Sequence, residues 1–194
     1  MNQQTVIELL LQSLEHERGG IKVYETALTC IQNDDLKEEF GKYLDETRNH
    51  EQILLGVCDA LEIDPEAKIP GREVISTVGN ALVEAMKKAK AAGNPDAAEI
   101  VACECVVLAE TKDHLNWELI GQLADKGEGD GVEALQEAYD EVEDQEDEHL
   151  YHSKGWCREL WLKALGMKAM LPPPEEKKHV KTAIGAARAE QSRK

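Results

Sequence analysis

Glu146 and His149 stand three residues apart in the stretch EVEDQEDEHLYHSKGW, which starts at Glu141. At that spacing a carboxylate and an imidazole share one helix face, where together they can ligate a cation. Their neighbours decide whether that face is wet or dry. Leu135, Tyr139, Val142, Ser153, Trp156 and Leu160 recur every three or four positions in phase with them, so the stripe that should face a core turns Glu146 and His149 inward. The other charges of the stretch, Glu143 among them, fall off the stripe and read as a solvated face. His152 also lies off it and reads as a surface or outer-layer residue.

Three more segments repeat the pattern. Glu17 interrupts a stripe through Ile7, Leu10, Leu14, Ile21, Tyr24 and Leu28, in a helix expected over 3–32. Thr47 and His50 interrupt Leu36, Phe40, Tyr43, Leu54 and Val57, in a helix expected to open at Asp34 or Asp35, either a credible N-cap, and to end near 63. Glu110 and His114 interrupt Ile100, Cys103, Val107, Trp117 and Gly121 in a helix expected over 95–125, where a competing stripe through Val101, Leu108, Leu115 and Leu119 offers a second register. The helix that carries Glu146 is expected over 132–165.

Taken singly, Glu17 reads as partly exposed and His50 or His114 as a hydrogen-bonded core histidine, while His16 and His179 read as exposed. The levels coincide, however. Folding the chain about Asn33 sets Glu17 opposite residue 49, and folding it about Glu128 sets Glu110 opposite Glu146. A buried carboxylate is costly unless it is paired or coordinates a metal. Four helices interrupted at one level therefore share one explanation: carboxylates that balance divalent ions, and imidazoles that add neutral nitrogen donors.

Positioning that set takes an all-α fold. The chain of 194 residues suits one domain, rich in Ala, Leu, Glu and Lys, with a single Phe, a mixture that favours helix over sheet. A shorter amphipathic helix at about 72–92 would span roughly 30 Å, enough to carry the chain from one end of a bundle to the other between two antiparallel hairpins. The bundle is expected over 1–165 and a Pro-broken, basic tail over 166–194, a flexible or peripheral extension that could lie on the acidic body.

The formal net charge of −17 disfavours nucleic acid and anionic headgroups as partners and favours cations. No apolar run approaches the roughly 20 residues that a bilayer demands and no leader follows Met1, so the expectation is a cytoplasmic protein that meets no membrane. Five cysteines without a CxxC read as reduced core thiols.

Glu17, His50, Glu110 and the Glu146/His149 pair, with a long crossover between hairpins, resemble the ferritin-like superfamily, which includes bacterioferritins and rubrerythrins. The resemblance covers about 3–165 and rests on spacing. It implies a ferritin-like four-helix bundle with a non-haem site for two ions of iron or manganese. Glu17 and Glu110 would be terminal carboxylates, Glu146 a bridging carboxylate, and His50 and His149 nitrogen ligands.

The family pattern also expects Glu three residues before His50, where this chain has Thr47. One ion rather than two is then the alternative, unless Glu46 substitutes. ETRNH at 46–50 has a twin in ETKDH at 110–114, which adds His114 as a further nitrogen candidate. The implied activity is that of a ferroxidase, peroxidase or related oxidase acting on Fe(II), O2 or peroxide. Without a rubredoxin-type CxxC pair, a peroxidase would draw on an external electron donor. A metal-free or singly metallated helical interaction module is the competing reading, with Thr47 its best support. A hemerythrin-type carrier lacks the histidine spacings it needs. The oligomeric state is open, a homo-oligomer included.

Overall fold

The computed structural model describes residues 2–127, 131–170 and 174, and within them five α-helices and no strand. They are α1 (Gln3–Leu28), α2 (Asp34–Ala60), α3 (Pro70–Ala91), α4 (Pro95–Lys126) and α5 (Val132–Ala164). The turn centre expected at Glu128 and most of the expected tail, 171–173 and 175–194, lie outside the described residues.

Local chemistry sets the helix ends. Asn33, rather than Asp34 or Asp35, caps α2: its Oδ1 accepts from the Leu36 N–H at 3.0 Å, and both aspartates sit in the first turn, where the helix dipole favours them. Helix α1 stops at Leu28, short of the expected 32, because the amides of Gln32 and Asn33 both donate to Glu99 Oε1 at 2.8 Å. That buried carboxylate satisfies a tight turn that would otherwise hide bare N–H groups. Pro70 opens α3 at its first turn, where no N–H is required. Gly131 precedes α5 at φ 96°, and Leu61 packs where its Cβ would stand.

Helices α1, α2, α5 and α4 pack in that cyclic order, and α3 lies across α1 and α4. The apolar residues form two separate cores. One gathers the C-terminal half of α1, the N-terminal halves of α2 and α4 and the end of α5, around Tyr24, Phe40, Cys103 and Trp156. The other joins the opposite ends around Leu10, Leu14, Leu54, Trp117 and Val142. Neighbouring helices in the ring therefore run antiparallel, as the two hairpins and the long crossover require. Burying each large apolar side chain stabilises the fold by about 1.5–3 kcal/mol. The cysteines are free, and all but Cys157 are fully buried. No helix among the described residues is long and apolar enough to cross a membrane.

Candidate metal centre

Between the two cores lies a polar layer. Glu17, His50, Glu110, Glu146 and His149 are all at most 3% exposed, and each was expected to face inward. His50 Nδ1 lies 3.2 Å from Glu146 Oε1 and 3.9 Å from Glu17 Oε1. His149 Nδ1 lies 3.6 Å from both Glu110 Oε2 and Glu146 Oε1. The two imidazoles stack at 5.6 Å between centroids, and the Tyr43 ring supports His149 from 4.3 Å.

The outer nitrogens settle which inner atoms are donors. His50 Nε2 meets Gln145 Oε1 at 2.8 Å and His149 Nε2 meets Glu46 Oε2 at 3.0 Å. Both partners are oxygens that accept, so each Nε2 donates, and it is Nδ1 that turns into the layer, where its lone pair becomes available to a cation once any proton on it is displaced. On the carboxylate side, Trp117 Nε1 donates to Glu17 Oε1 at 2.8 Å and leaves Oε2 alone.

Unsatisfied atoms then converge. Glu17 Oε2, His50 Nδ1, Glu110 Oε2, His149 Nδ1 and both oxygens of Glu146 are buried without a hydrogen-bond partner. Asp113 Oδ1 shares that condition. Orphans of this density are rare in folded proteins, and they are the atoms a divalent cation would take up. Two groupings place donors within 4.8 Å of one another: His50, Glu146 and His149, and Glu17, Asp113 and Glu146.

Protonation reflects the crowding. Burial pushes Glu17 well up, aided by Asp113, and pushes Glu146 well up, aided by Asp113 and Glu110. Asp113 is raised by the same burial. Burial disfavours the His149 cation, but Glu110 and Glu46 outweigh it and carry the group up to about 9. Reciprocally, His149 holds Glu110 below the usual carboxylate range despite its burial. Burial and the neighbouring His149 charge push His50 down to about 4. Protons thus occupy the layer as partial substitutes for cations.

Two other candidates do not join the cluster. Glu46 stands behind His149, accepting from its Nε2, with its other oxygen 3.3 Å from Lys42 Nζ. His114 pairs with Asp147 at 2.8 Å, in a cleft of about 210 Å³ that it shares with Glu118, Tyr139, Glu143 and Tyr151. Helix α4 is turned so that Asp113, not His114, faces inward. Asp113 carried a sequence signal, since it follows Glu110 at the same three-residue spacing as His149 follows Glu146. Thr47 is no ligand: its hydroxyl donates to Tyr43 O at 2.8 Å, and its methyl lies 3.3 Å from where a Cβ of Gly20 would stand.

His152 is buried rather than superficial, its Nδ1 2.9 Å from the Tyr43 hydroxyl and 3.2 Å from Glu39 Oε1, and Trp156 Nε1 donates to the other Glu39 oxygen. His16 is half-buried and meets the Ala109 carbonyl at 3.0 Å, where exposure was expected. The cleft that holds His114 also reaches Trp117 and Glu146, so one side of the layer opens toward acidic surface. Comparison with protein-family models, with curated proteins and with solved structures finds no match to this chain.

Proposed function

We propose that this chain is a ferritin-like non-haem protein whose polar layer holds two ions of iron or manganese, and that it acts as a ferroxidase, peroxidase or related oxidase on Fe(II), O2 or peroxide. The observation that carries the reading is the convergence of buried, unpartnered carboxylate oxygens and imidazole nitrogens from four helices on one small volume. A core without cations gains nothing from such a set, because each orphan costs about 1–3 kcal/mol.

When bound, paired ions of these metals supply electrons to an oxygen species and polarise it. The chain's own residues would do the rest. Gln145 and Glu46 fix the tautomer of each imidazole, and Trp117 fixes the rotamer of Glu17. Glu146, with both oxygens free, stands where it can serve two positions. The apolar cores above and below keep water out of the layer, while Glu118, Glu143 and Asp147 line an approach that draws cations toward Glu146.

The test is stopped-flow absorbance of the Fe(II)-loaded protein mixed with oxygen or with peroxide. Wild type should oxidise iron well above the buffer rate, and Glu110→Ala should lose most of that excess. Equal rates in both proteins and in buffer would remove the oxidase reading. Failure to take up any Fe(II) or Mn(II) would favour the helical interaction module.

A further inference from the structure

The donor atoms divide unevenly between the two groupings. His50 and His149 belong to one, Glu17 and Asp113 to the other, and Glu146 to both. The first offers two nitrogens. The second offers oxygen alone. Asp113 is only 4% exposed, and its Oδ1 has no hydrogen-bond partner. Thr47, at the α2 position where a carboxylate was expected, is committed to the Tyr43 carbonyl. The described structure therefore brings in its additional carboxylate from α4, one turn after Glu110.

We propose that the centre has two chemically different metal positions, a nitrogen-bearing one at His50, His149 and Glu146 and an oxygen-only one at Glu17, Asp113 and Glu146, with Asp113 the ligand that completes the second. This inference rests on the metal-binding reading above and goes beyond it in assigning Asp113 and in predicting unequal metals. Imidazole favours the later first-row ions, whereas carboxylate-only sets suit harder ions such as Mn(II). A late ion gains most at the nitrogen position. Mn(II), the weakest binder of the series, competes best where no nitrogen is offered. The two positions should fill in order, and a mixed pair should form when both kinds of ion are supplied. The rival account of the orphaned oxygens is a proton shared between Glu17 and Asp113, which would leave room for one ion only.

The 194-residue chain, stripped with chelator, is titrated with Co(II) and then with Mn(II) by calorimetry, Co(II) visible absorption and Mn(II) electron paramagnetic resonance. Wild type should take one Co(II) with a nitrogen-containing spectrum. It should then take one Mn(II), whose signal is broadened by its neighbour. Asp113→Asn, nearly isosteric, should keep the first Co(II) with an unchanged spectrum and bind the second ion at least tenfold more weakly. His50→Ala should instead lose the Co(II) spectrum while still binding Mn(II).

If Asp113→Asn takes two ions as tightly as wild type, the assignment of Asp113 is wrong. A single equivalent in wild type and in Asp113→Asn alike would mean the shared proton, overturning the second position while leaving metal binding intact. No uptake of either ion by wild type would overturn the underlying reading itself.

Discussion

Glu46 and Gln145 do not face the cluster, yet they decide which nitrogen of each imidazole does. Their oxygens accept from Nε2 of His149 and His50, so an Ala at either position frees the ring to rotate or to change tautomer. Partners of this kind are worth about 10–100-fold in metal affinity. Glu46→Ala and Gln145→Ala should weaken Co(II) binding by that factor, as read by competition with a chromophoric chelator, and leave the stoichiometry unchanged. His149→Ala should abolish the nitrogen-bearing position outright. A full loss of stoichiometry in Glu46→Ala would make Glu46 a direct ligand and the present side-chain arrangement wrong.

Among the helices, α4 carries the largest departure from expectation. Its inward residues are Cys103, Val106, Glu110, Asp113, Trp117, Ile120 and Ala124, so the phase that includes Val107, His114 and Gly121 is not the one that faces the layer. The competing stripe is largely exposed, with Leu108 at 61% and Leu115 at 45%. Helix α4 is packed by α1, α3 and α5 together, so its buried arc is wide and its apolar residues point in several directions. A helix buried on one side, such as α2, leaves no such ambiguity. Gly121 meets the Tyr139 ring of α5, where a Cβ would stand 2.6 Å from a ring carbon. Gly121→Ala should therefore displace the ring and destabilise the protein by about 1–3 kcal/mol in urea unfolding. His114→Ala, which removes a partly exposed hydrogen bond to Asp147, should change stability by no more than about 1 kcal/mol and leave metal stoichiometry intact. The opposite ranking of the two variants would restore the expected register.

The whole molecule joins an acidic surface to a layer of carboxylates that repel one another without cations, so its stability should depend on metal and on pH together. His149 is faced by Glu110 from α4, Glu46 from α2, Glu146 from its own helix and His50 across the layer. Its folded value of about 9 lies above the ordinary 6.5. The stabilisation it supplies as a cation is complete below 6.5 and is lost as pH rises through 9. Glu17 and Glu146, also raised, act with the same sign above the ordinary carboxylate range. His50, pushed down to about 4, works oppositely, but only as pH falls below 6.5. The chelator-treated protein should thus lose stability between pH 6.5 and about 9. On the proposed reading, metal would displace these protons and bind more tightly as pH rises. At a hundredfold excess over Kd, Mn(II) should add about 2.7 kcal/mol, roughly 5–10 °C in Tm for a chain of this size. That gap should widen from pH 6.5 to about pH 8.5 in thermal scans. A gap that narrows would show that the raised groups do not bear on the metal site.

Periodicity alone determined the helical class, the crossover and the inward placement of Glu17, His50, Glu110, Glu146 and His149. A helix buried on one face writes its orientation into the spacing of its apolar residues, and a polar interruption of that stripe is visible without coordinates. Tertiary structure decided what spacing does not encode. It chose Asp113 over His114 because α4 is enclosed by three helices and its stripe is blurred. It put Glu46 behind His149, since residues four apart share a face whichever of them reaches the centre. It drew His152 into a buried pair with Tyr43 and Glu39, 109 and 113 positions away in the chain. Contacts of that span depend on how helices rotate and approach, which the sum of all their packing sets and no single helix records.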